Sequence, residues 1–272
     1  MSIIEGLLAS LRDDAPLREV RVCAFWTAVV LDDGRCGLAS TLRPEEPRCA
    51  GLGPPVQRAG HLLECSALEL AQYANSDSLL EASIGMAAIN SLMEIDESRC
   101  VELNAEEIIL KEGAGRKVAI VGHFPFIPRV RKAAEKLWVL EKRPVAGDLP
   151  AEMATEVLPQ ADVVAITGTS LINHTFEELM DLCRPDALVI VLVPTAPLSP
   201  VLFDYGADII CGTLVTDAES VLRLIGQGAN FGQVKRGGGV RLLTMAQMRH
   251  STFPTSISNF QLPMCEKGAR IG

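Results

Sequence analysis

Of the four histidines, at 61, 123, 174 and 250, His123 is the best placed for chemistry, because it follows a short apolar run in the motif Gly122-His123-Phe124-Pro125. An imidazole titrates near neutrality, so it can move a proton or give a lone pair to a metal ion. The alternative, a histidine bonded to a loop carbonyl, weighs equally. Cys211 ends another apolar run and could serve as thiolate or ligand, against plain core packing. His123 and Cys211 are therefore the candidate ligands of a transition metal or metal chelate. His61, Glu64 and Cys65 have i, i+3, i+4 spacing, which puts three donors on one helical face. That cluster lacks a distant fourth ligand and reads as a helix face with a partly buried thiol. His174 stands beside a capping threonine and reads as structural, and His250 lies in a polar stretch that suggests no role.

Thr167-Gly168-Thr169-Ser170 offers hydroxyls and backbone N–H groups to an anion, with Asn173 adding a polar group to the same connection. Residues 195–199 lead into a helix start, where unpaired N–H groups favour negative charge. Dinucleotide binding needs three glycines in a Gly-x-Gly-x-x-Gly turn, whereas the loop after residue 121 has Gly122 alone, and Pro125 and Pro128 each remove a donor. An ordinary NAD site is disfavoured. Yet Glu141 stands 19 residues beyond Gly122 at the end of the next strand, where a carboxylate accepts from ribose hydroxyls. The competing reading is a solvated Glu141 paired with Lys142 or Arg143. Arg236-Gly237-Gly238-Gly239 has no helix pattern after it and reads as a turn or edge crossing. No nucleophile–base pair declares itself, so neither a catalytic residue nor an enzyme is assigned.

The elements that would position these groups form two blocks. From residue 115, apolar strands at 117–121, 137–140, 161–167, 187–193 and 208–211 alternate with helical segments at 128–137, 175–183 and 199–206. Thr175-x-x-Glu178 and Thr216-x-x-Glu219 have capping-box spacing. This alternation predicts an α/β fold, a Rossmann-like parallel sheet with helices on both faces. Ligands of such sheets lie beyond the carboxyl ends of the strands, which is where His123, Glu141, Thr167, Thr195 and Gly212 fall. Before residue 104 the pattern is a helix at 2–12, strand-forming runs at 20–31 and 36–42 around Asp33-Gly34, and helices at 61–74 and 79–93. The expected division is a small α+β domain, 1–104, and a Rossmann-like domain, 105–272.

Composition excludes several functions. The 34 acidic residues outnumber the 25 basic ones, and only 12 side chains are aromatic, so a nucleic-acid-coating surface is not expected. The longest apolar run, 187–193, is far short of the roughly 20 residues that span a bilayer. The opening residues lack a basic signal-peptide region, and a soluble cytoplasmic protein without a membrane partner is expected. The eight cysteines include no Cys-x-x-Cys pair, which favours reduced, mostly buried thiols over a zinc ribbon or ferredoxin-type cluster. The sequence admits a homo-oligomer.

The segments 117–125, 140–144 with 147–150, 161–169, and 194–200 with 212–217 resemble an uncharacterised prokaryotic family labelled for heavy-metal chelation. Phe25-Trp26-Thr27-Ala28 and the segments 37–41 and 83–90 look like the small domain that precedes it. The resemblance covers nearly the whole chain, except beyond about residue 244. It implies a domain similar to the small N-terminal domain of enolases, followed by the Rossmann-like domain, with the site in the cleft between them. The implied site positions are Gly122, His123, Pro125, Glu141, Thr167, Gly168, Thr195, Pro197 and Gly212, faced by Gly37, Ala39, Thr41 and Asn90. The implied function is metal chelation or binding of an aromatic, cofactor-like small molecule. The leading expectation is a protein that binds a small molecule or metal chelate between its domains. A nucleotide-dependent enzyme using Glu141 as ribose partner is the alternative, and a metal-trafficking module with thiol and imidazole ligands is the third reading.

Overall fold

The computed structural model describes residues 1–43, 55–192 and 194–247. Its smaller sheet is antiparallel, formed in order by β1 (Leu17–Val22), β2 (Trp26–Leu31) and β3 (Cys36–Ser40). The run 20–31 is thus two strands rather than one. The chain reverses at Cys23-Ala24-Phe25, where the Cys23 amide donates to the Trp26 carbonyl at 2.9 Å. Neither glycine nor proline marks that turn, so composition carries no sign of it. The Asp33-Gly34 turn forms as expected, with Gly34 at φ +93°.

The helix Leu79–Leu92 packs on this sheet, and between Glu81 and Leu92 only Asn90 escapes burial. A helix apolar on every side must be covered on every side. One cover is β3, approached so closely that a Cβ on Gly37 would lie 2.0 Å from the Ala87 carbonyl oxygen. The segment 61–74 breaks into a short turn, Leu62–Glu64, and a helix, Ala67–Ala71, opened by a capping box between Ser66 and Glu69.

The larger sheet holds β4 (Cys100–Val101), β5 (Lys117–Val121), β6 (Lys136–Glu141), β7 (Leu149–Pro150), β8 (Val163–Thr167), β9 (Leu188–Leu192), β10 (Ile209–Val215) and β11 (Val240–Ala246). Their spatial order is β4-β11-β10-β9-β8-β5-β6-β7. The run from β10 to β7 is parallel, and β11 and β4 add antiparallel strands at one edge. Successive residues alternate between two apolar layers. Ala119, Val164 and Ile166 join one, while Val118, Ile120, Val163 and Ala165 join the other. Burial on both faces explains why the parallel strands are continuous apolar runs. The first layer also contains Leu7, Ile84 and Met86, so both sheets share one core. Residues before 104 contribute to the large unit as well: β4 pairs with β11, and the Tyr205 hydroxyl donates to the Ser2 carbonyl at 2.9 Å.

Two expected helix caps differ. Thr175 precedes the helix Phe176–Asp181, but its hydroxyl is engaged with the Asn173 side chain at 2.6 Å instead of the helix backbone. The helix Ala218–Gly226 is capped by Asp217, not Thr216, through the Ser220 amide at 3.0 Å. The sequence pattern left unread the helices at Ala105–Glu112 and Phe231–Arg236 and the strands β4, β7 and β11. The glycine run after Arg236 is a turn: Gly237 ends the helix and Gly238 has φ +82° before β11. Among the described residues no helix is long and apolar enough to cross a membrane.

Candidate functional site

β5 and β8 are neighbours, yet the chain leaves them for opposite edges, from β5 to β6 and β7 and from β8 to β9 and β10. The loops at their carboxyl ends must part, which is the point where open parallel sheets take ligands. Here the gap opens into a cleft of 1320 Å³. The large unit contributes Gly122, His123 and Pro125 after β5, Glu141 at the end of β6, and Thr167, Thr169 and Ser170 after β8. Trp26, Thr41 and Leu79 of the small unit form part of the facing wall.

Gly122 makes the first loop possible. Its φ is +104°, and a Cβ there would meet Phe124 at 3.1 Å and Thr167 at 3.2 Å. The turn delivers His123, whose Nδ1 lies 2.9 Å from Asp148 Oδ2. The imidazole is half-exposed, whereas the Asp148 side chain is only 2% exposed and also accepts from the Val145 amide at 3.2 Å. An ionised carboxylate can only accept, so Nδ1 is the donor of this bond and Nε2 is the ring nitrogen it leaves uncommitted. Thr167 and Thr169 pair their hydroxyls at 3.0 Å, and the Ser170 hydroxyl donates to the Thr167 carbonyl at 2.7 Å. Glu141 accepts from its own loop, the Lys142 amide at 2.7 Å and the Arg143 amide at 3.5 Å. Phe124 and Phe126 stack with centroids 5.1 Å apart, and Trp26 meets Phe231 at 5.5 Å. All four rings line the cleft.

Seven expected site positions lie behind the cleft and build its walls. Asn90 donates its amide to the Leu38 carbonyl at 2.9 Å and to the Thr195 carbonyl at 3.0 Å, joining the small sheet to the loop after β9. Thr195 is fully buried; its hydroxyl accepts from the Ser40 amide and donates to the Ser40 hydroxyl, both at 3.0 Å. Gly37 and Ala39 are buried in β3, and Pro197 is buried in the loop after β9. A Cβ on Gly168 would lie 2.5 Å from the Ala196 amide nitrogen, and one on Gly212 would lie 2.4 Å from the Leu198 side chain. Asn90 and Thr195 tie the two units together, whereas Gly37, Gly168 and Gly212 are small because atoms of their own unit lie against them.

Cys211 is also removed from the cleft. It is 1% exposed, takes a contact from the Thr244 hydroxyl at 3.4 Å, and burial pushes its thiol up to about 12. Such a thiol is inert near neutrality, so Cys211 is a core residue. His61 pairs with Glu64 at 2.7 Å, while Cys65 is buried and receives Arg58 at 3.1 Å, which separates the three donors. His174, at φ +57°, bonds the Ser76 carbonyl at 3.0 Å and is structural, as expected. His250 lies outside the described residues.

Sequence reading missed Asp148 and the four rings. Asp148 lies 25 residues from its histidine, with no spacing rule to connect them. The rings had one available signal, scarcity: four of only 12 aromatic residues meet here. Among the described residues no group of three His, Cys, Asp or Glu side chains could hold a metal ion. Glu106 in the cleft lies 2.5 Å from the Arg129 guanidinium as an ion pair, while its buried Oε1 makes no hydrogen bond. The donors among the described residues therefore do not fit a resident metal bound by protein ligands alone.

The comparisons with known proteins agree with the fold. A family model described as "Putative heavy-metal chelation" matches residues 104–244, and a second with the same description matches residues 4–93. A crystal structure of a DUF364-family protein of unknown function from Desulfitobacterium hafniense DCB-2 is 26% identical and superposes with a TM-score of 0.76, covering 90% of this chain and 98% of that one. Another from Pyrococcus horikoshii, 21% identical with the same coverage, gives a TM-score of 0.72 and shares the fold. An uncharacterized protein of Methanocaldococcus jannaschii is 31% identical over 163 residues, which are 57% of this chain. The match spans 62% of the length of that curated relative.

Proposed function

The chain belongs to the DUF364 family, and from that premise we propose that it binds a small molecule or a metal chelate in the cleft at the switch point of its parallel sheet. The observation that carries the reading is the cleft itself: 1320 Å³, walled by both units, with one oriented imidazole, paired hydroxyls and four aromatic rings converging on it. Ligand sites have this composition, mostly apolar walls with a few fixed polar groups. The test is native mass spectrometry of the purified protein, with elemental analysis of the same sample. A bound small molecule released on denaturation is the expected result; an empty cleft whose melting temperature no candidate ligand raises would remove the proposal.

The strand order favours a second reading, a nucleotide-dependent enzyme. Numbered from β5, the parallel strands follow the order 3-2-1-4-5-6 of dinucleotide-binding sheets, and Glu141 ends the second of them. For that reading, adenine nucleotides or S-adenosylmethionine should raise the melting temperature, and Glu141→Ala should abolish the effect. Failure of every nucleotide to do so would sink it.

A further inference from the structure

We infer that the occupant of this cleft is an organic anion with a flat apolar body, and that Lys142 and the threonine hydroxyls after β8 hold its carboxylate or phosphate oxygens. This rests on the small-molecule reading of the cleft and narrows it to a charge class.

Charge distribution points first to an anion. The protein as a whole is acidic, 34 Asp and Glu against 25 Lys and Arg, yet the described lining of the cleft holds five basic side chains and only four acidic ones. The remaining 30 acidic and 20 basic residues carry the entire negative excess. Of the four acids, Glu106 is ion-paired with Arg129, and Glu141 spends Oε1 on the Lys142 and Arg143 amides. Field lines concentrate in a concave site, so this local positive balance acts on a bound anion more strongly than the same charges on an open surface. The donors left over at the switch point agree. Lys142, in the loop after β6, reaches across to the loop after β8. With the Asn173 amide turned so that its nitrogen donates to the Ser170 carbonyl and the Thr175 hydroxyl, its oxygen accepts from Lys142 Nζ at 3.2 Å. An ammonium has three N–H groups, so two remain, and Lys142 is in no ion pair among the described residues. Beside it, Thr167 and Thr169 share one hydroxyl proton at 3.0 Å, and the other has no acceptor among the described residues. Donors gathered without acceptors suit a ligand that brings oxygens, and an ionised group forms the strongest such bonds. The walls receive the rest of the molecule. Phe124 stacks on Phe126 and Trp26 meets Phe231, which gives the cleft flat apolar surfaces.

The test titrates the full-length protein with naphthoate and naphthyl phosphate by isothermal calorimetry, with neutral naphthamide as the control of matched shape. At least one anion should bind at least about ten-fold more tightly than the amide, as expected of one hydrogen bond to a charged group, and added salt should narrow the gap. The tighter of the two anions tells a carboxylate from a phosphate ligand. Lys142→Met, at an exposed position, should bring the anion down to the affinity of the amide and leave the amide unchanged, whereas Lys142→Arg should keep the preference. A Thr167→Val, Thr169→Val double variant, nearly the same in shape, should weaken the anion by about five-fold. Binding of neither anion, an amide held as tightly as both, or an anion preference that survives Lys142→Met or the double variant undiminished would each overturn the inference. A neutral or cationic molecule found in the purified protein would also overturn it while leaving the small-molecule reading intact; an empty cleft with no ligand response would overturn both.

Discussion

Asn90 supplies the most direct measure of how the two units are joined. Its side-chain amide donates to the Leu38 carbonyl at 2.9 Å and the Thr195 carbonyl at 3.0 Å, one acceptor from each side of the joint. Each neutral hydrogen bond contributes about 1 kcal/mol net, and Thr195 is fully buried. Asn90→Ala should therefore destabilise the protein by about 2 kcal/mol, or roughly 5 °C in melting temperature for a chain of this size. Asn90→Asp sharpens the argument because it has nearly the same shape but presents only acceptors when ionised. Two carbonyl oxygens would then face a carboxylate, and the loss should exceed that of the alanine variant. Urea unfolding at about pH 7.5, read by circular dichroism, compares the two at equal m-value. If Asn90→Asp is as stable as wild type, or Asn90→Ala costs less than about 0.5 kcal/mol, the amide is not the tie that the geometry describes.

Gly37→Ala should cost about 3 kcal/mol or more, because its Cβ would fall 2.0 Å from the Ala87 oxygen and 2.3 Å from the Ser91 nitrogen, both backbone; calorimetry showing an unchanged melting temperature would contradict this. Burial pushes the thiols of Cys36, Cys183 and Cys211 up to about 12. Their contribution is complete below the unfolded thiol value of about 8.5 and is lost as pH rises toward 12, since unfolded thiols ionise first. The fall in urea midpoint between about pH 8 and 10.5 should accordingly be smaller in a Cys36→Ala, Cys211→Ala double variant, and an equal fall would assign it to other groups. Trp26 lines the cleft and Trp138 sits in the shared core, so in Trp138→Phe protein a bound ligand should change the remaining tryptophan fluorescence. Saturating ligand with no spectral change would place it elsewhere.

The parallel sheet was legible because its strands are local patterns. The strand at 117–121 has the predicted bounds, and those of β6, β8 and β9 differ by no more than two residues at either end. Gly122, His123, Glu141 and Thr167 followed from the rule that ligands lie beyond the carboxyl ends of such strands. β11 and β4 were not legible, because antiparallel strands added to a parallel sheet are identified by the partners that accept them. Thr175 and Thr216 show the limit of a spacing rule: the capping pattern is present, but the neighbouring Asn173 and Asp217 compete for the role.

By itself, the amino-acid order determined the Rossmann-like class, the small unit before it and the loops that carry His123 and Thr167, because periodicity and turn chemistry act over a few residues. Tertiary structure alone decided which residues meet. It brought Asp148 to His123, set Asn90 against Thr195, buried Cys211, and assembled four rings into one wall. Those relations depend on strand order and on how closely two backbones approach, which no interval along the chain encodes.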